Sequence, residues 1–314
     1  LAHAQDNGGD TGDLTVDGNI DRDEAGTSTL DLRADQNLHI VSANIESTTG
    51  TINAVLNSDR DGDEDGRITL NVANINTNGG YLIAGGGDGE VGGNDGIFGN
   101  GDGTGADDAF SYAVGSLNGI RLTDSQVTTS GGNAFMHGYA KDAGTAWGIF
   151  VLRSTISTGD GNVSLTGTST GDANYPRGIE LSGDNLNPAT IMTTGGNITL
   201  NATATNSYGL VLYENTNIST VDGNITITAT SPAFHDINAV GTALGHVISS
   251  TNGNITLNID DIGLNTGTSI SAGDTLNIFT IDPTTTIGLG TGATGALNLD
   301  NAELSRLSAS NKIV

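Results

Sequence analysis

An acidic run with alternating spacing is the feature of this sequence most able to do chemistry. In "DRDGDEDG", carboxylates stand at Asp59, Asp61, Asp63 and Asp65, and Gly66 follows them. A calcium-binding loop begins in this way, because Ca²⁺ takes several oxygen ligands around a sharp turn. The run therefore predicts a site for one Ca²⁺ at the four aspartates.

The residues after this run depart from an EF-hand. Counted from Asp61, position eight is Ile68, which suits an EF-hand loop, but position twelve is Val72 instead of glutamate. No helical pattern flanks the loop, so an EF-hand is excluded. Two interpretations stay open: an acidic turn whose backbone oxygens complete the shell around Ca²⁺, or a solvated and self-repelling acidic loop without metal.

A second acidic segment, "GGGDGEVGGNDGIFGNGDGTG", lies in an insertion at about residues 85–109. Its carboxylates among glycines are similar to the calcium-binding nonapeptide G-G-x-G-x-D, but their spacing differs from it. The segment is therefore interpreted first as a flexible glycine-rich surface loop.

The composition disfavours several classes of function. The 314 residues include 48 Gly and no Cys, with 36 acidic and 10 basic residues and a formal net charge of −26. Without Cys there is no thiol chemistry and no thiolate metal site. So few basic residues argue against nucleic acid or an anionic membrane surface as a partner. No apolar run approaches the length that would predict insertion into a membrane.

Two independent landmarks recur along the chain with one period. The first is a turn and strand of the type "DGNITI", whose Asn recurs at intervals of 29, 35, 27 and 30 residues. The second is a Gly followed by alternating apolar residues, as in "GLVLYEN", at intervals of 29, 30 and 31 residues. The landmark residues are Asn133, Asn162, Asn197, Asn224 and Asn254, and Gly119, Gly148, Gly178 and Gly209.

Each period holds three short strand patterns separated by Gly, Asn and Asp, and helix signals are nearly absent. This organisation predicts an all-β fold, a right-handed parallel β-helix of about ten or eleven coils, over residues 1–314 as one rod. Ile198, Ile225 and Ile255 should form one inward ladder. A β-sandwich or an antiparallel barrel is the alternative, but neither requires similar sequence at regular spacing.

The Gly-initiated strands carry unusual residues on their outer face. If Ile149 and Val151 point inward, their neighbours form an exposed apolar stripe, and aromatic residues precede the same strands. Such a stripe is typical of a contact surface, which could stack on sugar rings or on another rod, unless loops fold over it and bury it. The candidate contact residues are Trp147, Phe150, Leu152, Tyr175, Tyr208, Val211 and Tyr213.

Catalysis is not indicated by the sequence. Glu180 and Glu214 lie on comparable strands, but opposite register should put one outside and the other inside, which argues against a paired acid and base. The five His show no ligand spacing. Several Asn begin N-x-S/T sequons, but the repeat itself accounts for Asn at the turn and Thr in the strand.

Segments such as "GGNITLNATAT", "NINTNGG" and "TLDLRADQNLHI", together with "GALNLDNAELSRLSASNKIV", resemble the filamentous-haemagglutinin family of bacterial exoproteins. The resemblance implies export by two-partner secretion and an internal rod segment at the cell surface or outside the cell. It implies a non-catalytic role in attachment or in filament and biofilm-matrix formation. The partners would be surface glycans, proteins or other copies of the chain. The alternative is a β-helix that binds or cleaves polysaccharide.

Overall fold

The computed structural model describes residues 2–4, 12–60, 66–86, 111–113, 118–140, 146–170, 175–241, 245–292 and 294–314. Within these ranges the chain forms a parallel β-helix, in which each regular coil contributes one strand to each of three long parallel sheets. The predicted fold class is therefore confirmed.

The strands are numbered along the chain and grouped by sheet. Sheet A contains β1 (Ala2–Ala4), β4 (Thr27–Ala34), β7 (Thr51–Ser58), β10 (Leu82–Gly86), β11 (Ser111–Ala113), β14 (Ala134–Ala140), β17 (Val163–Ser169), β20 (Ile198–Ala204), β23 (Ile225–Thr230), β26 (Ile255–Asn258), β29 (Thr275–Phe279) and β33 (Lys312–Ile313). Sheet B contains β2 (Leu14–Val16), β5 (Leu38–Val41), β8 (Ile68–Asn71), β12 (Ile120–Thr123), β15 (Trp147–Leu152), β18 (Arg177–Ser182), β21 (Tyr208–Tyr213), β24 (Ile237–Val240) and β27 (Ile262–Leu264). Sheet C contains β3 (Ile20–Arg22), β6 (Asn44–Ser47), β9 (Asn74–Asn76), β13 (Gln126–Thr128), β16 (Thr155–Ser157), β19 (Ala189–Thr193), β22 (Thr216–Thr220), β25 (His246–Ser250), β28 (Thr268–Ala272) and β32 (Leu307–Ala309).

Side-chain alternation along the strands fills the interior of the rod. Ile198, Ile225 and Ile255 pair in register and are fully buried, which confirms the predicted ladder. A strand points successive side chains to opposite faces, so the residue that follows each of these isoleucines lies on the outer face and remains partly exposed. Burial of one Ile or Leu contributes about 1.5–3 kcal/mol, and stacking repeats this contribution at every coil.

The corner from sheet C to sheet A is built on a column of stacked glycines. A Cβ added to Gly196 would overlap the backbone carbonyl of Gly161 in the neighbouring coil, and Gly223 stands in the same relation to Gly196. A buried hydroxyl three residues earlier closes the turn at Gly196, where Thr193 donates to the Gly196 carbonyl at 2.5 Å. Glycine is required here because two backbones approach more closely than a side chain allows.

An asparagine ladder runs beside this column. The Asn197 side-chain oxygen accepts the backbone N–H of Asn224 at 2.8 Å, and the Asn224 oxygen accepts that of Asn254 at 2.8 Å. The ladder begins at Asn133 and Asn162 with the same 2.8 Å bonds. Between Asn133 and Asn254, the recurrent Asn of the sequence therefore links each coil to the next one.

The corner from sheet B to sheet C turns on a residue in the left-handed region. At five of these corners the residue is not glycine, with φ between 46° and 54°: Ser42, Val72, Asp124, Arg153 and Glu214. Such a conformation costs an L-residue roughly 1–2 kcal/mol. It directs side chains outward, where Arg153 pairs with Asp124 through bonds of 2.7 and 2.8 Å.

The corner from sheet A to sheet B varies most in length. It ranges from residues 205–207, between β20 and β21, to residues 87–119, between β10 and β12. Gly85 and Gly86 of the predicted insertion belong to β10, so its start is corrected by two residues. Residues 87–109 of the insertion lie outside the described residues.

After β29 the chain leaves the regular coil. It forms a two-stranded parallel sheet of β30 (Ile287–Leu289) and β31 (Leu297–Leu299), and then the short helix α1 (Asn301–Leu304). Asp300 begins the helix in a capping box with Glu303, whose carboxylate also accepts the N–H of Leu264 at 3.3 Å. In the described part of the chain, no helix is long and apolar enough to cross a membrane.

We expect Gly196→Ala to lower the free energy of unfolding by about 1–3 kcal/mol, because the new methyl group must displace a neighbouring backbone. The matched control is Gly18→Ala, where a Cβ has open space around it and the backbone is not left-handed. That control should be neutral or stabilising by up to about 1 kcal/mol. Urea unfolding of the three proteins measures both effects, and equal results for the two variants would contradict the close packing of the column.

Candidate functional site on the outer face of sheet B

Four strands of sheet B align the outward residues Arg121, Phe150, Glu180 and Val211 in one column. The prediction that Phe150 and Val211 form an exposed stripe is wrong, because they are only 8% and 1% exposed. They point away from the interior of the rod, as the alternation requires, but other side chains cover them. The face is therefore a second and smaller packed layer.

A stack of flat side chains covers Phe150. Trp147 lies on Phe150 with ring centroids 4.8 Å apart and an interplanar angle of 20°. The Arg121 guanidinium lies 5.6 Å from the Phe150 centroid, and that of Arg177 lies 5.7 Å from the Trp147 centroid. These distances suit cation–π contacts, each contributing roughly 0.5–1 kcal/mol at exposed sites. Three strands thus fix one ordered cluster.

Glu180 pairs in register with Phe150 on the neighbouring strand and is 4% exposed. Its carboxylate forms an ion pair with Arg177, and the buried indole N–H of Trp147 points towards it without reaching hydrogen-bonding geometry. Burial raises the pKa of Glu180, while the Arg177 charge and hydrogen bond oppose that rise. A buried acid with a raised pKa is typical of functional sites and also of structural ion pairs.

The predicted separation of Glu180 and Glu214 into one outward and one inward side chain is wrong. Glu180 occupies the outward column but is buried there. Glu214 lies beyond the end of β21, at a left-handed turn, and is partly exposed. The reason is that β21 ends at Tyr213, so strand alternation no longer applies to Glu214.

The other aromatic candidates are dispersed. Tyr208 pairs in register with Arg177, but its ring packs against Phe234 at 5.3 Å and His235 at 6.4 Å. His235 is hydrogen-bonded to Asp261 at 2.7 Å, and this bond raises its pKa. Tyr175 lies two residues before β18 in the left-handed region, with φ of 64°, and is 56% exposed.

Leu152 and Tyr213 belong to the next outward column. Each pairs in register with Ser182, Leu152 from one side and Tyr213 from the other. Leu152 is partly buried, and Tyr213 is 43% exposed. Of the residues predicted for contact, Tyr175 and Tyr213 therefore offer the most open surface.

A groove that the sequence did not predict lies beside the stack. It has a volume of about 390 Å³ and is lined by Arg67, Arg121, Val41 and Trp147 together with four neutral polar residues. The neutral residues are Thr69, Asn71, Asn118 and Thr123. Arg67 and Arg121 belong to neighbouring coils, because Ile68 and Ile120, next to them in the chain, pair in register. The signal that could have revealed the groove in the sequence was the rarity of basic residues, because two of them on one face of a sheet are then unusual.

Of the four aspartates predicted to bind Ca²⁺, only Asp59 lies in the described part of the chain. Asp59 follows β7 with φ of 52°, is fully buried, and donates its backbone N–H to the Gln36 carbonyl at 3.2 Å. Asp61, Asp63 and Asp65 lie outside the described residues. In the part of the chain that the structure describes, no group of three or more His, Asp and Glu side chains is placed to hold a metal ion. Calcium binding stays a prediction.

Comparison of the chain with known protein families, with curated proteins and with solved structures gives no match.

Glu180→Gln should remove one pH-dependent contribution to stability. The pKa of Glu180 is raised in the folded state, so its ionised carboxylate destabilises the folded protein. This destabilisation is lost as pH falls towards the pKa that Glu180 has in the unfolded chain. Relative to the variant, wild type should be more stable at about pH 5 than at about pH 8. Urea unfolding at both pH values measures this difference, and the comparison cancels the groups common to both proteins. A difference independent of pH would contradict the assignment.

Calcium removal tests the acidic run. If Ca²⁺ binds the folded chain, a chelator should lower the melting midpoint and excess Ca²⁺ should restore it, since a ligand at 100 times its Kd adds about 2.7 kcal/mol of stability. An Asp61→Asn, Asp63→Asn double variant should lose the response, while Mg²⁺ should not replace Ca²⁺. A wild-type midpoint unchanged by chelator would eliminate the metal site.

Proposed function

We propose that this chain is a non-catalytic rod segment of a surface-attached or secreted bacterial adhesin, which mediates attachment or the formation of filaments or matrix. The observation that carries the proposal is the in-register stacking of similar coils with a continuous asparagine ladder. Such a stack has the form of a stiff spacer, and each coil is supported by its neighbours.

The distribution of variable segments supports a presenting role. The corner from sheet B to sheet C mostly uses two residues, whereas the corner from sheet A to sheet B carries the longest insertions. Long insertions cost a scaffold little free energy, because loop-closure entropy grows slowly with length. The corner from sheet A to sheet B can therefore vary in length and sequence while the three sheets keep their structure.

The resemblance to filamentous-haemagglutinin exoproteins supports an extracellular location and export by two-partner secretion. It also suggests surface glycans, surface proteins or other copies of the chain as partners. The net charge of −26 supports solubility outside the cell and argues against nucleic acid as a partner. We infer no insertion into a membrane.

The chemistry of the outer face also favours binding over cleavage. Hydrolysis of a glycosidic bond generally uses two carboxyl groups on either side of the bond. Glu180 is buried and already paired with Arg177, and the described residues that line the groove include no carboxylate. A polysaccharide-cleaving role is the less supported alternative.

Beads coated with the purified chain test adhesion directly. We expect them to attach to bacterial or host cell layers more than beads coated with the same chain after heat unfolding, because unfolding removes the rod but keeps the charge. A reducing-sugar assay on the same preparation should show no turnover of polysaccharide. Equal attachment of the two kinds of bead would contradict the adhesive role, and turnover that disappears in Glu180→Gln would favour the cleaving alternative.

A further inference from the structure

The described lining of the groove on sheet B carries basic side chains, whereas the whole molecule is acidic. The chain carries 36 acidic residues against 10 basic ones, yet the described residues that line the groove include two arginines and no carboxylate. An anion would meet attraction here and repulsion over most of the remaining surface. The groove therefore offers a negatively charged group a location beside Arg121.

Arg121 is held in place without an acidic partner. Its guanidinium lies over the Phe150 ring at 5.6 Å, and its Nε donates to the Thr123 hydroxyl at 3.0 Å. Within the described part of the chain, Arg121 makes no ion pair, whereas Arg33, Arg153 and Arg177 each pair with a carboxylate. A fixed guanidinium suits bidentate binding of a planar carboxylate, because little side-chain entropy is then lost.

The neutral side chains of the groove suit hydroxyl groups. Asn71 and Asn118 each have an amide that can donate and accept, and the hydroxyls of Thr69 and Thr123 can do both. Trp147 adds an apolar wall at the end of the groove nearest the stack. Neutral donors and acceptors around the Arg121 guanidinium are a poor match for densely charged polyanions, which need many basic residues.

We propose that this groove binds a carboxylated saccharide of the uronate type. One carboxylate contacts the Arg121 guanidinium, and sugar hydroxyls contact the neighbouring Asn and Thr side chains. The groove crosses β5, β8 and β12 and reaches the first residue of β15, a distance of about 14 Å at the usual strand spacing. That length accommodates a short run of sugar residues across the coils.

This inference deepens the proposed function and rests on it for its biological use. A binding measurement on the purified chain nevertheless succeeds or fails independently of cell attachment. If the chain binds uronate but attaches to no cell, the adhesive role is refuted and the uronate site stands. If the chain attaches to cells but does not bind uronate, the uronate site is refuted and the adhesive role stands.

Isothermal titration with tri-galacturonate, at about 0.15 M salt where charges beyond ~8 Å are screened, tests the proposal. We expect wild type to bind the acid form and to bind its methyl ester at least about tenfold more weakly. Arg121→Gln should weaken binding by about 10- to 100-fold, because a charge-assisted hydrogen bond pair is lost. Arg153→Gln is the matched control, since it changes net charge equally at the corner from sheet B to sheet C and should leave affinity within about twofold.

A second variant separates binding from folding. Asn71→Ala removes a groove amide without touching the stack of Arg121 on Phe150, and it should weaken binding by about 3- to 10-fold. Melting curves verify that each variant folds. The proposal is overturned if wild type does not bind the acid form, if the methyl ester binds equally, or if folded Arg121→Gln and Asn71→Ala both retain wild-type affinity. Binding of a sulfated glycan or nucleic acid without binding of tri-galacturonate would also overturn it.

Discussion

The in-register stacking of parallel strands is the constraint on which the other features of this molecule depend. Strands in a sheet lie about 4.8 Å apart, so each residue contacts its equivalents in the coils on either side. A position suited to one coil therefore suits the next, and columns of Ile, Gly and Asn follow. The column through Gly196 is the strictest case, because its neighbours leave no space for a methyl group.

The periodic part of the fold could be predicted from sequence because stacking makes it periodic. The ladder of Ile198, Ile225 and Ile255 and the three strands per coil followed from spacing alone. Alternation also gave the correct outward side for Phe150, but it cannot show what lies over that side. Its burial depends on Trp147 folding back across the strand, a contact specific to one coil.

The groove lay beyond sequence reasoning for a similar reason. Arg67 and Arg121 are separated by the glycine-rich insertion, yet the register of β8 and β12 places them on neighbouring coils. Pairing across an insertion can be seen only when the strands on both sides are aligned. Residues that differ between coils thus collect on the outer face of sheet B and at its entry corner, while the other corners preserve the scaffold.

The asparagine ladder has a mechanical consequence. Its hydrogen bonds from Asn162 to Asn197 and onward join successive coils, as the sheet bonds do, so they lie along the length of the rod. A pull on the two ends would load the interfaces between coils in series, and the weakest interface would set the force at which the rod yields. In a series each interface carries the whole tension, so the extra bond that the ladder adds between two coils raises the force at which that interface separates. Between Asn133 and Asn254 the ladder thus reinforces every interface along the direction of pull.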